Sequence, residues 1–351
     1  MPPPIPPPDP LGLPVPASLL LWLKGAGFFL HLFFMNLWVG GLPAALVLYR
    51  RYPEVARRLL RWLPFAMAFG INAGLVPLLF VQTLYPQFFY PATILQAWFW
   101  FLVIPLLLVA YYALYLAAFE RWPRLSGAVA CVLLGWIGLT FSAALSLTTA
   151  PEHWWEIFLR TARGGAVHGG YFYLRGRAVL RYGLVLGMAL GTVAAVLAVD
   201  GAWRRQPAEE GRPPRHLVPF LFGCGLLVYG LAGLRYLPAV RDKLPPLLGT
   251  ATALSMPLAA GLAVLYWRWP GRASSAALLL AQLGVLLLNT LARQQVQVAK
   301  LRPWLDLSAL PVRGEWGSVA LFGATLAAGT AVLAWLAWLA WRHTRPPTSG
   351  P

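Results

Sequence analysis

Carboxylates are scarce in this chain, which holds 11 Asp and Glu among 351 residues against 28 Lys and Arg. All 11 fall in tails, in loops or at the ends of apolar segments, from Asp9 to Glu315, and none lies near the centre of a segment. Proton pumps and proton-coupled transporters carry chains of acids and histidines through the membrane. Their absence argues against a stand-alone pump, and against an oxygen reductase that must feed protons to its site. Cysteine is nearly missing as well. Cys131 and Cys224 sit in separate apolar segments, so no disulfide framework is expected, and without Cys-x-x-Cys-His no c-type haem is covalently attached. Met1 to Pro16 is proline-rich and lacks a basic n-region, so it reads as an extended or disordered external tail rather than a cleavable signal. The end, Arg345 to Pro351, has a similar composition. The short alternating strands of a membrane barrel do not occur, and no internal repeat of the kind found in two-halved transporters is visible.

What the chain has is apolar length. It is 59% hydrophobic and 11% charged, with a mean hydropathy of +0.64. Segments of roughly 20 apolar residues recur, each long enough for a bilayer core of about 30 Å. The fold expected is all-α: a polytopic helical membrane protein with one transmembrane domain over 18–342, a tail at 1–17 and another at 343–351. Ten spans are expected, at 19–49, 63–85, 94–119, 127–149, 154–174, 182–199, 218–236, 247–267, 273–292 and 317–341, with nine as the alternative. The net charge of +17 lies in loops, where it sets orientation and does not signal nucleic acid. If 154–174 crosses, 17 Lys and Arg lie on one side and nine on the other; if it does not, the split is 15 against 13. The first reading puts both termini outside. Only Lys24, Lys243 and Lys300 are Lys, a bias that fits a GC-rich bacterium and hence a bacterial inner membrane.

Polar groups at membrane depth are functional candidates by default. His31 lies about 13 residues into the first span and His168 about 15 into the fifth, placing them at matched depth. Two neutral imidazoles so placed could ligate a b-type haem iron; the alternative is a histidine hydrogen-bonded to a neighbouring carbonyl or hydroxyl. Arg160 and Arg163 share a helix face. They could clamp a haem propionate or a lipid phosphate, or Arg160 could pair with Glu156. Gln82 and Gln96 could bond between helices or to a quinone carbonyl. Gln282, Asn289, Arg293, Gln297 and Lys300 recur on one face, which could line a polar cavity or emerge into water. Gly183, Gly187 and Gly191 form a small-residue ridge for close helix approach.

Several stretches resemble the large, haem- and quinol-binding subunit of the cytochrome bd oxidase family, most strongly within 18–200. They are Phe29-Leu30-His31-Leu32-Phe33-Phe34 with Gly40 beyond, Phe65-Ala66-Met67-Ala68-Phe69-Gly70 through Gly74 to Gln82, Ser142-Ala143-Ala144 running to Thr149-Ala150-Pro151, and Leu174-Arg175-Gly176-Arg177. The family's Gly-Arg-Gln-Pro-Trp is echoed by Ala292-Arg293-Gln294-Gln295. The resemblance implies that His31 matches a haem-ligating histidine and Met256 the methionine ligand. The sequence departs from the family at Arg160, where a histidine is expected, at Gln96, where a glutamate is, and in the short Gly201–His216 loop. The stretch Pro77 to Gln82 with Gln87 to Tyr90 also looks like bacterial membrane proteins found beside c-type cytochromes.

The function expected from these signals is an integral-membrane subunit of a respiratory electron-transfer complex, in contact with lipid. It would pass electrons between quinol and a partner c-type cytochrome or other respiratory subunit, with haem b and quinone as the cofactors implied. A haem-free, quinone-binding anchor for a redox partner and an anion transporter are the alternatives.

Overall fold

A computed structural model describes residues 5–168, 170–174, 176–203 and 213–343. Twelve helices are present among them: α1 (Ala17–Leu48), α2 (Pro53–Leu84), α3 (Pro86–Gln96), α4 (Trp98–Phe101), α5 (Val103–Ala118), α6 (Pro123–Leu147), α7 (Trp154–Thr161), α8 (Gly176–Trp203), α9 (Leu217–Tyr236), α10 (Pro246–Arg268), α11 (Arg272–Leu301) and α12 (Trp316–His343). The fold is therefore all-α and polytopic. Eight stretches are long and apolar enough to cross a membrane: α1, α2, the α4–α5 segment, α6, α8 from Arg177, α9, α10 and α11. Proline opens α2, α3, α6 and α10, where its missing N–H is no loss and its fixed φ suits a helix start.

Consecutive spans pack as antiparallel hairpins, α1 with α2, α5 with α6, α8 with α9 and α10 with α11. α8 is the hub, touching α1, α6, α9, α10 and α11. Its expected glycine ridge is used. A Cβ on Gly187 would stand 2.7 Å from the Gly225 carbonyl oxygen and 2.7 Å from the Tyr229 amide nitrogen, so the α8 and α9 backbones meet directly. A polar clasp reinforces the hub. Asn36 Nδ2 (α1) donates to Thr192 Oγ1 (α8) at 3.2 Å, and Gln282 Nε2 (α11) donates to the same oxygen and to the Met188 carbonyl, both at 3.0 Å. All three clasp residues are fully buried.

Three sequence expectations change. The fifth expected span, 154–174, does not cross. It is the short helix α7, then a two-stranded hairpin of β1 (Ala162–Arg163) and β2 (Ala166–Val167), then extended chain. Gly164 and Gly165 turn the hairpin at φ +59° and +82°, and the cost of placing Arg160 and Arg163 in lipid is avoided. The 94–119 span is broken at Ala97, φ +44°, so Gln96 ends α3 and the crossing starts at Trp98. The N-terminal tail is extended but fixed: Leu13 and Val15 are buried, the Leu13 amide donates to the Pro311 carbonyl (2.8 Å), and the Glu315 amide to that of Pro14 (2.8 Å). Residues 1–4 and 344–351 of the two tails lie outside the described residues, as do Arg175 and 204–212 of the Gly201–His216 loop.

Gly187→Val should lower the unfolding temperature of the detergent-purified protein, at a cost of about 1–3 kcal/mol for overpacking. Gly223→Ala, where an added Cβ meets nothing within 4 Å, should leave it unchanged. Equal effects would remove the α8–α9 contact as a determinant of stability.

Candidate anion-binding chamber

At the bundle end where α6, α9 and α11 finish and α8 begins, a chamber of 710 Å³ opens. A cleft of 20 Å³ continues from it toward the middle of the bundle. Arg181, Lys300, Thr149 and Tyr236 line both. Arg177 and Lys243 stand in the wider part, and Arg293 and Gln297 in the cleft. The helical spacing that puts Arg293, Gln297 and Lys300 on one face of α11 delivers them here. Arg177 and Arg181 share a face of α8 in the same way.

These cations have neutral partners. Arg181 Nη2 donates to the Ser142 carbonyl (2.8 Å) and to the Ser146 hydroxyl. The Arg293 guanidinium lies 4.0 Å from the centre of the Phe28 ring. Lys24, buried at 6% exposure, donates from Nζ to Gln297 Oε1 (2.8 Å) and lies over the Tyr85 ring. Among the described residues no carboxylate forms an ion pair with Lys24, Arg181, Arg293 or Lys300. The two carboxylates that line the chamber are Glu152 and Asp242. Asp242 sits 2.9 Å from the Lys243 ammonium, whose hydrogen bond holds its carboxyl below the ordinary carboxylate range. Desolvating a lone cation costs several kcal/mol, on the order of what one good ion pair returns. Lys24 is buried and Arg181, Arg293 and Lys300 are half-buried, so positive charge gathers at this end of the bundle with few acids to offset it.

The residues singled out from the sequence are spread more widely. His31 packs between α1 and α2 in the groove at Gly70 and Gly74, and its Nδ1 donates to the Gly70 carbonyl (2.7 Å). Its ring centre is 6.3 Å from that of Phe28, so His31 stands one ring behind Arg293. His168 is exposed beyond the hairpin and is not at matched depth with His31, because 154–174 is not a span. Met256, fully buried on α10, faces α8 at Gly191. His31, His168 and Met256 thus lie on α1, beyond the hairpin and on α10, each among different neighbours. Among the described residues no cluster of three or more His, Cys, Asp or Glu could hold a metal ion. Arg160 is exposed and pairs with Glu156 (2.8 Å), and Arg163 is exposed on the hairpin. Gln82 donates to the Leu78 carbonyl and accepts from the Tyr90 hydroxyl. Gln96 is fully buried, and neither polar atom of its side chain has a partner among the described residues.

Sequence reasoning found the α11 face but not its counterpart on α8, because Arg177 and Arg181 read as a loop flank until the hairpin shifts the start of that helix. No family model matches the chain, and no curated protein matches it.

In a background with Cys131 and Cys224 replaced by Ser, Thr149→Cys should react about tenfold faster with an anionic thiosulfonate than with a cationic one, and the ratio should shrink as salt rises. Equal rates at low salt would mean that the chamber carries no net positive potential.

Proposed function

We propose that this multi-pass membrane protein binds an anionic ligand in the chamber at the end of its helix bundle. The supporting observation is the group formed by Arg181, Arg293 and Lys300 at the chamber and its cleft, with Lys24 behind them, none in an ion pair with a carboxylate among the described residues. Of the functions suggested by the sequence, this favours an anion-handling membrane protein, with the anion met by Arg181 and Lys300 rather than by Arg160 and Arg163. Multivalent anions should raise the unfolding temperature of the wild-type protein by several degrees and that of Arg181→Gln or Lys300→Gln by little or nothing. No shift with any anion would overturn the proposal.

A second reading, a membrane subunit of an electron-transfer complex, is supported by where the family-like stretches fall. Ser146, Thr149 and Ala150, Arg177, and Arg293 belong to three stretches that resemble the bd oxidase subunit; the first two stretches line the chamber and the third the cleft that continues from it. This reading needs no haem of the chain's own. It expects co-purification with a c-type cytochrome from native membranes, and isolation without any redox partner would count against it.

Orientation follows from charge. Arg50, Arg51, Arg57, Arg61, Arg121 and Arg124 crowd the bundle end away from the chamber, which the positive-inside rule assigns to the cytoplasm. The 13 basic residues of the other side include Lys24, Arg181, Arg293 and Lys300, which sit within helices and not in loops. Arg57, Arg61 and Arg124 of the first side also lie within helices, so the split stays at 15 against 13, and its small excess favours a chamber and N-terminal tail that face outward. If α12 crosses, the C-terminal end is cytoplasmic rather than outside. A reporter fused after His343 should be active only in its cytoplasmic form; activity of a periplasm-dependent reporter would reverse the assignment.

A further inference from the structure

The proposal that an anion fills the chamber leaves its chemical class open, and the distribution of charge narrows it. The chamber wall carries Arg177, Arg181, Lys243 and Lys300 against Glu152 and Asp242, and Asp242 is already held by Lys243. Behind the junction of chamber and cleft stand Arg293, against the Phe28 ring, and Lys24, bonded to Gln297. A single carboxylate would offset only one of these charges. At the junction itself, Arg181 (α8), Lys300 (α11), Tyr236 (α9) and Thr149, two residues past the end of α6, line both cavities. The Thr149 hydroxyl donates to the Ser146 carbonyl (3.1 Å), so Arg181, Lys300 and the Tyr236 hydroxyl are the groups that face a ligand, and two cations at one point suit an oxyanion with more than one acceptor oxygen. A phosphate monoester brings about two negative charges and three acceptor oxygens, and its charge-assisted bonds to guanidinium are among the stronger hydrogen bonds in proteins.

Size bears on the rest of the ligand. The 20 Å³ cleft suits one small group, whereas the 710 Å³ chamber lies in the range that holds a whole organic molecule, about 300–1,000 Å³. Tyr173, Tyr236 and Trp304 give the wider part an aromatic wall.

Resting on the anion-binding reading above, we propose that the ligand is an organic phosphate. Its phosphate sits at the junction between Arg181 and Lys300, with Arg293 behind, and its carbon portion lies in the chamber against Tyr173, Tyr236 and Trp304. Two sources share this chemistry: a water-soluble phosphate ester entering from the open end, and the head group of an anionic phospholipid.

The test uses the full chain, purified and delipidated in neutral detergent, with its unfolding temperature followed against added glycerol 3-phosphate, short-chain phosphatidic acid, or succinate at matched ionic strength. Glycerol 3-phosphate should raise the unfolding temperature by several degrees if the ligand is soluble. A rise with phosphatidic acid alone assigns the site to a lipid head group and equally supports the phosphate. A rise with succinate equal to that with both phosphates overturns the phosphate assignment while leaving an anion site in place. No rise with any of the three overturns both. Arg293→Gln provides an independent readout. Removing a cation that has no anionic partner should raise the ligand-free unfolding temperature while reducing the phosphate-induced shift at least about fivefold. A lower ligand-free temperature with an undiminished shift would mean that Arg293 is only structural and would overturn its part in the site. If Arg181→Gln and Lys300→Gln fail to fold, Lys243→Gln at the rim still reports, since it should weaken the phosphate response by a smaller factor. An unchanged response in Lys243→Gln, with the wild-type shift insensitive to salt, would overturn the proposal.

Discussion

A cation inside a helix bundle must be compensated, and this chain compensates three of them without an ion-paired acid. Lys24, Arg181 and Arg293 are held by a glutamine amide, a carbonyl and a hydroxyl, and two aromatic rings. Such partners soften the desolvation cost but do not cancel the charge. The helices around these groups are placed accordingly: α11 presents a polar face, α8 begins with two arginines on that side, and α6 ends at Ser146 and Leu147 with Thr149 just beyond. The result is a bundle whose interior is apolar through most of its depth and strongly positive at one end.

Holding that end together takes rigid packing elsewhere. The close approach of α8 and α9 at Gly187 and Gly225 removes the space in which the bundle could slide. The clasp of Asn36, Thr192 and Gln282 fixes α1, α8 and α11 relative to each other with hydrogen bonds that have little water to compete with them. Since α1 supplies Lys24 and Phe28, α8 supplies Arg181, and α11 supplies Arg293 and Lys300, the clasp sets the spacing of the cations below it. The hairpin at 162–167 and the fixed N-terminal tail finish the same end of the molecule.

How much of this was legible can be judged from particular residues. The helical class and most spans follow from apolar length, because lipid allows few other backbones. The glycine ridge on α8 and the polar face on α11 were visible as periodicities. The break at Ala97 was not, because nothing local in Leu95-Gln96-Ala97-Trp98 marks a positive φ. The 154–174 segment was misjudged because its apolar residues are as numerous as those of a weak span. Only the Gly164-Gly165 pair, between Arg163 and Ala166, signalled a turn. His31 drew attention as an ionisable group at depth, but in the folded chain its Nδ1 is satisfied by the Gly70 carbonyl and it stands behind the site rather than in it.

By itself, then, the sequence determined that the chain is a helical membrane protein with few interior acids, since hydropathy and charge are local properties summed along the chain. It also determined which helix faces carry cations, since a helical period is read from spacing alone. Only the tertiary structure decided that the cations of α8 and α11 share one chamber and its cleft, with that of α1 behind them. That convergence depends on which helices neighbour each other and on their vertical register. Both are set by glycine contacts and amide hydrogen bonds between residues up to 156 positions apart, with no local signature in the sequence.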